Sequence, residues 1–138
     1  MNPDRLLSLT GSLYIFPGYI SLKKGYNYHA STCFLLAFTS FVIHNYHHPT
    51  FLIIDQTALL NYLISSFYIG FYYNVSKKTI GLGVLSVVYS AYIYIIGKQT
   101  GTMVWDNNIY VRITYHSLMH LSTSSVVYVA VNEATDKN

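Results

Sequence analysis

The chain has 138 residues, 52% of them hydrophobic and only 9% charged, with a formal net charge of +3 and a mean hydropathy of +0.33. That is about a third of the charge of an ordinary soluble domain, so the composition points to an integral membrane protein, and the length allows a single domain over residues 1–138. No basic cluster exceeds two lysines, which excludes nucleic acid as a partner, and the lone Cys33 excludes an intramolecular disulfide or a CxxC site, leaving a buried structural thiol.

Five apolar runs approach the length of about 20 residues that a spanning helix needs. The first covers about 6–22 and stops at Lys23-Lys24-Gly25; Pro17 and Gly18 predict a kink or an early end inside it. It does not read as a cleaved signal peptide, because its one positive charge, Arg5, is balanced by Asp4. The second covers about 30–46 and closes at the turn His47-His48-Pro49-Thr50, whose two histidines read as solvated turn residues. His29 is expected at the membrane interface, where this helix starts. The third run, about 51–73, ends at Asn74-Val75-Ser76-Lys77-Lys78. The fourth, about 79–97, leads into a loop reaching Asp106, and the Gly97/Gly101 pair reads as part of that loop. The fifth covers about 109–131. The expected fold is therefore all-α, a bundle of about five transmembrane helices.

Tyrosines cluster near the ends of these runs, as Tyr26, Tyr28, Tyr46, Tyr72 and Tyr73 do, which suits the boundary between lipid tails and headgroups. Lys23, Lys24, Lys77, Lys78 and Lys137 fall on one side of the membrane, and Arg5, Lys98 and Arg112 on the other. The positive-inside rule then puts the C-terminus in the cytosol and the N-terminus outside or in a lumen.

Against this apolar background a few polar groups stand out. Between Gly25 and Ser76 the only charged residue is Asp55. His44 precedes it, and Ser40 lies one turn before His44. The last run carries His116-Ser-Leu-Met-His120. An Asp at the centre of a spanning helix costs roughly 2.5–3.5 kcal/mol on insertion scales, so such residues point to function. Residues four apart share a helix face, so His116 and His120 can address one ion and Ser40 and His44 one direction. In the five-run arrangement His44 and Asp55 flank one hairpin, and the fifth run starts on the same side. All these groups then meet in one layer toward the non-cytosolic half. Three imidazoles suit zinc, whose fourth position is left to water. Ser117 occupies the place of the glutamate in an HExxH motif, so a general base must come from elsewhere, and Asp55 is the only acid inside a run. Ser40 could orient that carboxylate or donate to an oxyanion. The competing structural role for Asp55 is a buried acid bonded to Gln56 or Asn61.

Ser40-Phe-Val-Ile-His44, then Asp55, then His116-Ser-Leu-Met-His120 resembles the motif set of the CREST superfamily of membrane proteins, which includes alkaline ceramidases and progestin/adipoQ receptors. The resemblance implies a Zn2+ ion on His44, His116 and His120, with Asp55 serving the catalytic water and Ser40 supporting it. It implies hydrolysis of an amide-linked lipid such as ceramide. The family usually has seven spans, and this chain offers about five; the acidic calcium-binding segment of alkaline ceramidases has no counterpart here. A non-catalytic, zinc-stapled lipid-binding or regulatory membrane subunit is the alternative, followed by a haem protein and a structural assembly factor. Pairing of two copies is one way in which five helices could complete a pocket.

Overall fold

The computed structural model describes residues 3–46 and 49–135, and side chains from Leu7 onward within them, Pro49 excepted. His47, His48, Lys137 and the Arg5 side chain, which carry part of the turn and orientation argument, lie outside these described residues. The described chain is all-α: α1 (Pro3–Gly11), a 3-10 turn (Ser12–Tyr14), α2 (Ile15–Lys23), α3 (Asn27–Tyr46), α4 (Pro49–Tyr72), α5 (Lys77–Thr100), a second 3-10 turn (Met103–Trp105) and α6 (Ile109–Glu133). These elements follow the five apolar runs. Two of them, Thr50–Tyr72 and Lys77–Thr100, are long and apolar enough to cross a membrane, with mean hydropathies of 1.2 and 1.8.

The break between α1 and α2 comes one turn before Pro17. Proline has no N–H for the carbonyl four residues back, and its ring crowds that carbonyl. The carbonyl belongs to Leu13, at the centre of the 3-10 turn, so the kink expected at Pro17 is expressed upstream of it. Gly25 ends α2 with φ +79°, and the Tyr26 N–H returns to Ser21 O at 2.9 Å. Ser76 caps α5, accepting from Thr79 N at 3.2 Å. At the other end of α5, Gly101 takes φ +67° and Thr102 N bonds Gly97 O at 3.1 Å. The helix thus runs to Thr100, three residues beyond the predicted end, and Gly97 lies inside its last turn. A Cβ at Gly97 would stand 2.7 Å from Thr102 O, so this glycine is required by the chain reversal and not by helix pairing.

The first helical segment is the wedge of the bundle. Both α1 and α2 pack against α3 on one side and α6 on the other, while α3 and α6 make no comparable contact with each other. α4 packs on α3 and α6, and α5 packs on α6. The close approach to α3 relies on two glycines seven residues apart. A Cβ at Gly11 would lie 2.9 Å from Ser40 Cβ, and one at Gly18 would lie 3.0 Å from Cys33 Cβ. Seven residues is two helical turns, so the two contacts stack along one seam. Cys33 is fully buried, in a cluster with Tyr14, Leu36, Ala37, Ala58 and Tyr62.

Hydroxyls and imidazoles occupy much of the interior, and large apolar side chains point outward. Ser21, Ser65, Ser40, His29 and His120 are buried, whereas Phe38, Ile53, Phe71, Leu85 and Val88 are exposed. His29, expected at an interface, is buried instead because its position on α3 faces α4. Its Nδ1 meets Ser65 Oγ at 2.8 Å, Nε2 meets Cys33 Sγ at 3.6 Å, and the ring stacks on Tyr62.

One end of the bundle is clasped by polar groups. Lys24 Nζ donates to Asn132 O (2.6 Å) and Ala134 O (3.0 Å), a cation on the carbonyl end of α6. Glu133 receives the Ser76 N–H on Oε2 (3.0 Å) and the Thr79 hydroxyl on Oε1 (2.8 Å), placing a carboxylate at the start of α5. These bonds hold its carboxyl below the usual glutamate value, the Ser76 N–H contributing most.

Gly11→Ala is expected to destabilise the fold by about 1–3 kcal/mol, since Ser40 Cβ cannot retreat from the new methyl. Gly81→Ala, at a helical position with open space around it, should be neutral or stabilising by up to about 1 kcal/mol. Denaturant melts of both variants in detergent check the pair. A carboxyl lowered on folding contributes stability above its unfolded pKa and loses it as pH falls through the folded value. Acidification below the ordinary glutamate range should therefore lower the melting temperature of wild type more than that of Glu133→Gln.

Candidate metal centre

His44, buried near the end of α3, and His116 and His120, on one face of α6, converge across the gap that the α1–α2 wedge leaves between those helices. One ligand nitrogen from each can be chosen so that all three lie within 4.8 Å of one another. The rings meet edge-on or tilted: centroids are 4.9 Å apart for His44 and His116, 4.8 Å for His116 and His120, and 5.9 Å for His44 and His120. Tetrahedral zinc with Zn–N near 2.0–2.1 Å requires N···N separations of about 3.4 Å, so side-chain rotations must close the set by about an ångström. The donor set fits a borderline-soft divalent ion, and two helices supply it.

The tautomer of His120 follows from proton counting. Its Nδ1 lies 3.2 Å from Thr10 Oγ1, and that hydroxyl is 3.0 Å from Leu7 O. A threonine hydroxyl has one proton, and here the carbonyl takes it. With that proton on Leu7 O, the Thr10 oxygen accepts from His120 Nδ1–H, the tautomer that leaves the Nε2 lone pair for a metal. A second hydrogen bond of this kind commonly fixes a ligating histidine. Thr10 was not apparent from the sequence, since its only signal is its place one turn inside the first helix.

Tyr14 forms the inner wall. It is buried, its ring stands edge-on to His120 at 5.6 Å, and its hydroxyl bonds Thr123 Oγ1 at 2.8 Å. Its position at the end of the 3-10 turn directs it inward, whereas of the tyrosines at the run ends Tyr28, Tyr46 and Tyr72 are exposed and Tyr26 and Tyr73 are half-buried against another core cluster.

Asp55 on α4 joins this layer through α3. Its Oδ1 accepts from Thr39 Oγ1 at 2.7 Å and from Ser40 Oγ at 3.3 Å. Neither Gln56 nor Asn61 holds it; Asn61 donates to Thr57 O within its own helix. Thr39 is the shorter contact and was missed in the sequence, where Ser40 alone matched a motif. Ser40 in turn borders the histidines. From the point where a Cβ of residue 11 would stand, Ser40 Oγ is 3.6 Å away and His120 Cε1 3.8 Å. The absence of a side chain at Gly11 therefore keeps open the space between the hydroxyl and the imidazole.

The five residues singled out in the sequence thus divide into a triad of imidazoles and a Ser40–Asp55 pair beside it. Comparison of the chain with protein families, with curated proteins and with solved structures finds no match.

The His116→Ala/His120→Ala double variant should retain no bound zinc by mass spectrometry, against about one ion per chain in wild type. Thr10→Val should keep the fold but weaken zinc binding by roughly 10–100-fold, the usual cost of losing a partner that orients a ligand. Competition with a chromophoric chelator reads this directly.

Proposed function

We propose that this chain is a zinc-dependent hydrolase of a lipid amide or ester, embedded in a membrane as a bundle of five spans. The observation that carries the reading is the meeting of three histidines from two helices beside a carboxylate already held by two hydroxyls. The resemblance to the CREST motifs, Ser40 and His44, Asp55, His116 and His120, agrees with it and points to ceramide-like amides. The outward apolar side chains and inward hydroxyls support the membrane setting. Only 22% and 17% of the most apolar stretches of α4 and α5 are buried, so their remaining surface needs an apolar surrounding. The lysine distribution favours an N-terminus outside or in a lumen and a cytosolic C-terminus.

Zinc on three histidines would supply a nucleophile near neutral pH by lowering the pKa of a coordinated water to about 7. The protein's own groups do the rest. Thr39 and Ser40 both donate to Oδ1 of Asp55, which fixes the carboxylate plane and leaves Oδ2 to take a proton and return it to the leaving amine or alcohol. Ser40, with its second lone pair and its position toward His120, orients the carboxylate relative to the reacting carbonyl. Partial burial of Asp55 and the burial of Ser40, His44 and His120 reduce the solvent screening of these interactions.

One observation favours a second reading, a zinc staple without turnover. α3 and α6 meet chiefly through the wedge, so an ion on His44, His116 and His120 would tie together two helices that otherwise lack direct packing.

The two readings separate on one variant. Under the hydrolase reading, Asp55→Asn keeps its zinc and loses turnover of a long-chain N-acyl sphingoid substrate by several orders of magnitude, while His116→Ala loses both. Full activity in Asp55→Asn would refute the assigned base. Zinc without activity in wild type, together with a melting temperature that falls when the metal is chelated, would leave the staple.

A further inference from the structure

α4 and α5 stand apart on either side of α6, and the gap between them is a cleft. Tyr62, Phe67 and Gly70 line its α4 wall, Ile80, Gly83 and Ser86 its α5 wall, and Thr123 and Val127 of α6 its floor. From Thr123 to Ala130 the floor runs about 10 Å at 1.5 Å per residue. The α4–α5 connection near Val75 closes one end. The other ends at Thr123, one turn from His120 and hydrogen-bonded to Tyr14.

Two features make this more than a packing gap. Both walls have a glycine, and a Cβ at Gly83 would meet only Val126 Cγ1 at 3.6 Å, so the space is there because side chains are not. Ser86, 7% exposed, lines the cleft and its hydroxyl has no hydrogen-bond partner. A buried hydroxyl left unpaired costs about 1–3 kcal/mol. Ser66, Thr123 and Tyr62, the other hydroxyls in the lining, already bond Tyr62 O, Met119 O and Thr123 O respectively. One helical turn from Ser86 along α5, half-buried Ser90 also has a buried hydroxyl without a partner, and so does half-buried Ser117 on α6, beside His116. The unpaired hydroxyls thus begin at the cleft and continue toward the level of the histidines.

We propose that this cleft binds one alkyl chain of a membrane lipid whose amide or ester group lies at the cleft's inner end, accepting a hydrogen bond from Ser86. This rests on the hydrolase reading for its choice of headgroup chemistry, and it identifies where the chain of that substrate lodges. An alkyl chain suits the lining, which is apolar apart from these hydroxyls. A peptide helix, about 10–12 Å across with its side chains, needs more room over the same length. Exposed Phe71, Leu82 and Leu85 carry the apolar surface outward from the walls, so the mouth opens toward the phase in which lipids lie.

A ceramide bearing a diazirine midway along its acyl chain, photolysed with full-length protein in phosphatidylcholine vesicles, tests this. Label mapped by mass spectrometry should concentrate on peptides containing Phe67, Gly70, Ser86 and Val87. Gly83→Leu, which fills the cleft, should cut that labelling several-fold with bound zinc unchanged, and Ser86→Ala should cut it less. Gly81→Leu makes the same change at a site outside the lining and should label as wild type does. Label spread evenly over the outward faces, or a pattern that Gly83→Leu leaves intact, overturns the proposal, as does protection of the cleft by self-association of the chain. The hydrolase reading is tested apart from it. Cleft labelling in a protein without zinc or turnover removes that reading and keeps the lipid site; turnover without cleft labelling does the reverse.

Discussion

The contact on which the rest of the structure depends is the approach of the first helical segment to α3 through Gly11 and Gly18. Two missing side chains, two turns apart, let one helix settle against Cys33 and Ser40 closely enough to hold α3 and α6 at a fixed separation. Too wide a gap would leave His44 out of reach of His116 and His120. Direct packing of α3 on α6 would leave no room for a ligand among them. In the membrane setting proposed here, where burial of hydrocarbon against hydrocarbon drives little, such close packing of small residues would be one of the few forces that order helices. The spacing of the histidines across the bundle is thus set by residues that have no chemistry of their own.

A second economy lies in hydroxyl protons. Ser and Thr in these helices mostly give their one proton to a carbonyl three or four residues back, as Thr10 does to Leu7 and Thr123 to Met119. Their oxygens are then free only to accept, which fixes the direction of neighbouring bonds. Thr10 becomes an acceptor for His120, and its nitrogens are no longer equivalent. At Asp55 the balance differs: Thr39 lies 3.2 Å from Leu36 O but only 2.7 Å from the carboxylate, which takes its proton, and Ser40 donates there as well. The same threonine chemistry therefore orients an imidazole in one place and a carboxylate in another, according to where its proton is spent.

Much of this was legible in the chain. The five helical segments follow from apolar runs bounded by Lys-Lys-Gly, His-His-Pro and Asn-Val-Ser-Lys-Lys, because such boundaries act locally. The histidine set was legible because spacing by four on a helix is a geometric fact independent of context. Thr10, Thr39 and Tyr14 were not, because a hydroxyl in a helix has a default partner in its own backbone and only tertiary packing shows when it has another. His29 was misplaced for the same reason: its position near a helix start suggested an interface, and the facing Ser65 and Cys33 that bury it are contributed by packing and by its own next turn. Gly97 was assigned to a loop because its spacing to Gly101 falls at a run end; that it lies in the last turn of α5 with the loop folded back upon it is visible only once Thr102 is in place.

α5 is fastened mainly at its ends. Glu133 holds its first turn, and at the far end the Trp105 indole donates to Tyr94 O at 3.1 Å, with the ring against Tyr94. Between these points, among the described residues, it packs chiefly on α6. Segments with few buried apolar contacts open at lower free energy than the core around them. The helix is therefore a bowstring, pinned at both tips and compliant at its middle, and its middle carries Gly83, Ser86 and Ser90. Sideways flexing there would widen the cleft without unseating either pin, so a chain entering it would leave the three imidazoles where the wedge holds them.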